Sequence, residues 1–155
     1  MTLITLELEP KGKGRPRVTF KGGYARAYTP ATTARWEKAA VTILRSQWQG
    51  AAIDKPVKVE IDAIAKRPIR LCRKKDPAGL LIRAALPDAD NVAKACLDAL
   101  QKAEIIENDK LVVDLRIRSL YSEKGNAGRV VIKLTTIEEE GCVIQSINSV
   151  ESPKG

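Results

Sequence analysis

Polar and apolar positions alternate along Thr2–Glu9, with Ile4, Leu6 and Leu8 on one face and Thr5, Glu7 and Glu9 on the other. A period of two is that of a strand with one buried face. Lys11–Pro30 loses the period and fills with Gly, Lys and Arg; it predicts a basic loop with hairpin pieces around Arg17–Phe20 and Tyr24–Thr29. Thr32 or Thr33 can cap a helix reaching Trp48 or Gln49, because Trp36, Ala39, Ala40, Ile43, Leu44 and Gln47 recur at helical spacing. Alternation returns after Pro56, where Val57, Val59, Ile61, Ala63 and Ala65 oppose Lys58, Glu60 and Asp62. Lys66–Leu86 is aperiodic and basic, long enough to signal function or mobility. A second helix is predicted over Asn91–Ala103 through Val92, Ala95, Cys96, Ala99, Leu100 and Ala103. Two more strands, Lys110–Tyr121 and Arg129–Ile137, flank the turn-rich Glu123–Gly128 and predict a hairpin over 110–137.

These elements predict an α+β domain over residues 1–137, a mixed sheet of about four strands with two main helices packed on it. Residues 138–155 are expected to form a partly disordered tail, with one short strand at Val143–Ile147. No run approaches 18 apolar residues, so no membrane helix is expected. Met1–Pro10 has no basic start of the kind a signal peptide needs. The cysteines, Cys72, Cys96 and Cys142, are odd in number and scattered, which fits a reducing cytoplasm.

Composition narrows the chemistry. The chain has no histidine, which excludes Ser-His-Asp and Cys-His hydrolases, His-metal nucleases and His-built zinc sites. Any catalysis must come from carboxylates, lysines, arginines, thiols or hydroxyls. The formal charge of +8 is unevenly placed. Residues 1–75 hold 17 basic and 6 acidic side chains, while residues 76–155 hold 10 and 13. Lys11, Lys13, Arg15, Arg17, Lys21 and Arg26 follow one another with no acid between, as do Lys66, Arg67, Arg70, Arg73, Lys74 and Lys75. Basic runs with an acidic cluster elsewhere suggest a polyanion partner; solvated loops are the plain alternative.

The acidic cluster is Asp88-Ala89-Asp90-Asn91-Val92-Ala93-Lys94, at the mouth of the second helix. Asp90, Lys94 and Asp98 share one helical face, opposite the apolar rows. Asp109 follows in the turn Glu107-Asn108-Asp109, from which a returning strand can carry polar groups back toward Asp88 and Asp90. Two or three carboxylates plus a substrate phosphate suit Mg²⁺, which keeps several waters and prefers hard oxygen ligands. A neighbouring lysine can stabilise charge at a reacting phosphate. Taken singly, each residue has a plainer reading: Asp88 as a helix cap, Asp90 and Lys94 as a surface ion pair, and Asp98 as a solvated residue. Crowding two aspartates at one helix mouth costs repulsion that a cation relieves.

Together these residues resemble the RusA family of Holliday junction resolvases of bacteria and their prophages. The similarity runs from about Leu3 to Ile137 and is most specific over 88–114: D-x-D-N-x-x-K, then D-A-L, then an acid/amide turn ending in Asp, then a strand. Lys13-Gly14-Arg15-Pro16-Arg17 and Tyr28-Thr29-Pro30 look like the phage-type branch. The resemblance implies that Asp88, Asp90 and Asp109 bind Mg²⁺ and that Lys94 assists catalysis. It also implies a homodimer that nicks a four-way DNA junction symmetrically, leaving 5′-phosphate and 3′-hydroxyl ends. Candidate DNA contacts are Lys13, Arg15, Arg17, Arg67, Lys74, Lys75, Arg116 and Arg118. The rival readings are a non-catalytic DNA-binding protein that uses the basic loops, and a basic assembly or ribosome-associated protein.

Overall fold

A computed structural model of the chain describes residues 1–138, Pro16 excepted. The expected tail from residue 139 onward, with its strand at 143–147, lies outside the described residues. The strand after Pro56, β4 (Val57–Ala65), is the most deeply buried strand. Val57, Val59, Ile61, Ala63 and Ile64 are at most 2% exposed. A strand so apolar belongs in the middle of a sheet, with neighbours on both edges. One neighbour is β6 (Val112–Tyr121), which runs parallel to it. The other is β7 (Arg129–Thr136), which runs antiparallel. At the edges, β1 (Thr2–Leu6) pairs with β7 and the two-residue β5 (Leu81–Ile82) pairs with β6. The mixed sheet therefore has five strands in the order β1-β7-β4-β6-β5.

The hairpin expected over 110–137 does not form. β6 and β7 are consecutive in the chain, but β4 lies between them. Adjacent strands sit ~4.8 Å apart, so the loop between Tyr121 and Arg129 need only step over one strand. Burial of β4 on both edges outweighs the shorter local pairing.

Both helices cover one face of the sheet. The helix α1 (Ala31–Gln47) lies over β1, and α2 (Ala89–Lys102) lies over β4 and β6. Ile4, Ile132, Ile61 and Ile117 occupy one rung across four strands and point into this core. Each fully buried isoleucine contributes ~1.5–3 kcal/mol. The opposite face is charged and open, with ion pairs Lys133–Glu60 (3.0 Å) and Arg118–Asp62 (2.7 Å).

α1 starts three residues earlier than a Thr33 cap requires. Pro30 stands at the helix boundary and its carbonyl accepts the N–H groups of Thr33 (3.0 Å) and Ala34 (3.1 Å). Thr33 is inside the helix and buried. The Trp36 ring N–H donates to the Glu9 carbonyl (2.8 Å), which locks α1 to the chain leaving β1. Between these elements, β2 (Arg17–Lys21) and β3 (Tyr24–Tyr28) form a separate two-stranded ribbon, as the hairpin pieces predicted. No helix among the described residues is long and apolar enough to cross a membrane.

Candidate active site

The mouth of α2 is built by local chemistry. Asp88 stands at the N-cap on extended backbone, with φ −63° and ψ 146°. Its carbonyl accepts the Val92 N–H (3.1 Å), but its carboxylate makes no capping hydrogen bond. Asp90 follows in the first turn and Lys94 one turn later, both exposed. Neither joins an ion pair among the described residues. Both plain readings thus fail: Asp88 is not a side-chain cap, and Asp90 and Lys94 do not pair with each other.

Asp109 is returned to this helix by the way α2 ends. Ala103 closes the helix, and Glu104 takes the left-handed conformation at φ 60°. Glu104 N–H donates to the Gln101 carbonyl and Ile105 N–H to the Leu100 carbonyl, both at 3.0 Å. This is a Schellman turn, which reverses the chain while satisfying the last carbonyls. Ile105 and Ile106 then bury completely, and Ile53 brackets them with bonds to Ile105 and Glu107. The short 3₁₀ turn Asp109–Leu111 follows, with the Asn108 side chain accepting from the Lys110 N–H (3.0 Å).

Between α2 and β6 this leaves a cleft of about 480 Å³. Its floor is apolar, made by Ala93, Leu97, Leu115 and Ile117, and its rim carries Asp90, Lys94, Asp98 and Asp109. Asp88 opens instead onto an adjoining groove of about 430 Å³ lined by Arg83, Leu86 and Ser119. Ala89 lines both. The expected convergence of Asp88, Asp90 and Asp109 is therefore only partial. Two of the three share a cleft, and among the described residues no three acids, cysteines or histidines are gathered into a metal-holding group. The backbone explains the spread: Asp88 precedes the helix, Asp90 lies within it, and Asp109 is on a separate turn across the cleft.

Asp98 is not the solvated residue expected. It pairs with the ammonium of Lys13, so that candidate DNA contact is already engaged. The Lys13 backbone N–H also donates to the Asn91 carbonyl (3.1 Å). Gly12 makes this approach possible, since a Cβ there would stand 3.0 Å from Pro87 Cβ. The basic loop is thereby fixed to the mouth of α2, with Arg15 and Arg17 exposed beyond it.

One other candidate contact, Arg67, is corrected. Arg67 is only 4% exposed. Its guanidinium donates to the carbonyls of Ser122 (2.9 Å), Leu71, Pro77 and Gly79. It holds the 67–79 loop together and does not face solvent. Arg118 is clamped by both oxygens of Asp62 at 2.7 Å. Arg118 and Arg116 also lie on the open face of the sheet, whereas Leu115 and Ile117 face the cleft. The period of two along β6 puts them on the far side from the carboxylates. Lys74 and Lys75 are exposed in the Arg73–Asp76 turn.

The residue sequence reasoning missed is Arg83, 5% exposed. It donates to the carbonyls of Ala85 (3.1 Å), Leu86 (2.7 Å) and Pro87 and to Ser119 Oγ (2.9 Å), leaving its Nε without a partner. It thus holds the three residues before Asp88, where the Leu86–Pro87 peptide is cis. Its signal was a lone charge inside the apolar run Leu80–Pro87. Cys96, on the buried side of α2, has its thiol pushed up to about 12 by desolvation and is inert packing.

Carboxylates and a lysine around a cleft on an α+β sheet, without imidazole, define a class that known proteins make specific. The family model described as Endodeoxyribonuclease RusA matches residues 7–135. The chain belongs to that family of endodeoxyribonucleases. It is 33% identical over 125 residues to the crossover junction endodeoxyribonuclease RusA of Aquifex aeolicus (strain VF5), covering 81% of this chain and 83% of that protein. It is 32% identical over 127 residues to the uncharacterized protein YqaN of Bacillus subtilis (strain 168), covering 78% of this chain and 88% of that one.

Proposed function

We propose that this protein is a Mg²⁺-dependent endodeoxyribonuclease that resolves four-way DNA junctions as a homodimer, in the reducing cytoplasm, with residues 1–137 as the nuclease unit. The observation that carries the reading is the α2–β6 cleft, where Asp90, Lys94 and Asp109 meet beside an uncapped Asp88. The donors fit the ion: all are hard carboxylate oxygens, and the thiol on the same helix, Cys96, is buried. Asp88, Asp90 and Asp109 are the residues that would hold Mg²⁺, which would supply polarisation of the scissile phosphate and a more acidic water. Lys94 presents an ammonium where negative charge builds on the phosphate. Arg83 holds the backbone from which Asp88 projects. Cleavage leaves 5′-phosphate and 3′-hydroxyl ends.

A four-way junction has approximate two-fold symmetry and needs two matched nicks, which a C2 dimer supplies with two identical sites. Arg15, Arg17, Lys74 and Lys75 supply phosphate contacts, which position the DNA without reading its sequence. The test is a synthetic four-way junction with Mg²⁺ or with EDTA. Paired nicks are expected with metal only, and binding is expected in both. Asp90→Asn lowers cleavage about a thousandfold or more while junction affinity holds or rises. Undiminished cleavage by that variant overturns the assignment. Junction binding without cleavage under any divalent ion leaves the non-catalytic DNA-binding reading.

A further inference from the structure

Apart from Arg17 at its base, the β2–β3 ribbon is not used by the proposed mechanism. Its register pairs Arg17 with Tyr28, Thr19 with Arg26 and Lys21 with Tyr24. Directly paired residues on antiparallel strands point to the same side. One face therefore carries three cations and two tyrosines, while the other, with Val18 and Phe20, is uncharged. Tyr24 is 76% and Tyr28 45% exposed. The ribbon packs on no other strand or helix to any extent, so these rings do not serve the core. Residues 10–36 contain no acid. The turn is a two-residue Gly22-Gly23 link with φ of 64° and 80°, the primed geometry that keeps a hairpin straight to its tip. The base of the ribbon is fixed beside the catalytic helix by the Lys13–Asn91 and Lys13–Asp98 contacts.

From this we infer that the Tyr24/Tyr28 face of the ribbon binds unpaired nucleotides of branched DNA. The tyrosines stack on bases while Arg17, Lys21 and Arg26 hold the flanking phosphates. Within a duplex each base is covered by its neighbours, so an aromatic ring stacks only where a base face is free, as at a branch point or in a single strand. Alternating cations and aromatic rings answer both halves of such a ligand, and the acid-free sequence fits its charge. This deepens the proposed function by naming the part of the branched substrate that the ribbon takes.

Fluorescence anisotropy of the full chain in EDTA tests it, with a short labelled oligothymidylate and a duplex of the same length. Replacing both rings (Tyr24→Leu with Tyr28→Leu) is expected to weaken oligothymidylate binding about tenfold or more, with duplex binding little changed. The Tyr24→Phe, Tyr28→Phe pair keeps the rings and binds like the wild type. Phe20→Ser, on the uncharged face, also leaves oligothymidylate affinity unchanged. Arg26→Gln lowers the salt slope by about one, which stands as a check even if the leucine pair misfolds. Equal loss on both ligands overturns the inference in favour of duplex reading. Unchanged oligothymidylate binding by the leucine pair overturns it outright, and loss of the dimer in sedimentation then assigns the face to a protein contact. No cleavage is measured, so failure of junction cleavage leaves this result standing, and failure here leaves the cleft untouched.

Discussion

Residues 11–26 and 66–75 each carry six cations with no acid between them. In the first run only Lys13 is tied down, by Asp98, and its backbone is fixed to Asn91. Arg15, Arg17, Lys21 and Arg26 are left exposed. In the second run Arg67 turns inward and binds four carbonyls, and Arg73 is paired with Asp76 at 3.2 Å. The difference is what surrounds each run. A loop that closes on itself presents unpaired carbonyls inward, and a guanidinium with five donors answers them better than water can reach them. A straight ribbon has its backbone already paired, so its side chains stay free. Charge density along a sequence therefore does not by itself separate a ligand-binding run from a structural one.

The comparison breaks most visibly at Arg67. Arg67→Ala strands several buried carbonyls and is expected to lower unfolding free energy by about 3 kcal/mol in chemical denaturation, with junction affinity of the folded protein intact. The reverse holds for Arg17→Ala, where stability changes by no more than ~0.5 kcal/mol while junction affinity falls several-fold and the salt slope drops by about one. If Arg67→Ala weakened junction binding as Arg17→Ala does, the contrast would be wrong. Arg118→Ala lies at the small end. It breaks an exposed pair with Asp62 and should change stability by ~0.5 kcal/mol at most, with no effect on cleavage.

The loop that holds Arg67 has a pH signature of its own. Glu123, next to Ser122, is gripped by Arg129 and further by its own backbone and Asn126, which bring its carboxyl to about 2 from an ordinary 4.5. A lowered folded-state value means the stabilisation is fully present above 4.5 and is lost as pH falls toward 2. Thermal melts of Glu123→Gln should lose part of this acid limb; an unchanged pH profile would remove Glu123 from the account.

Much of the fold was legible because local period reports local burial. The span of β4, the ribbon strands and the apolar rows of α2 all follow from spacing. Strand pairing was not legible. β6 and β7 look like a hairpin by every local sign, and only the competition for β4's two edges separates them. At the site, Asp90, Lys94 and Asp109 were readable as residue types at a helix mouth and a turn. The engagement of Lys13 by Asp98 and the anchoring of Arg83 on Ser119 were not, because both acceptors lie more than thirty residues away in the chain.

The sequence alone determined which chemistry was available: no imidazole, two aspartates and a lysine at one helix start, and an acid-free basic run near the beginning. Those are facts of composition and spacing, fixed before the chain folds. The tertiary structure decided which cations remain free, which face of β6 meets the carboxylates, and that Asp88 opens onto its own groove. Each of those depends on where distant backbone carbonyls and strand edges come to rest, and no local pattern encodes that.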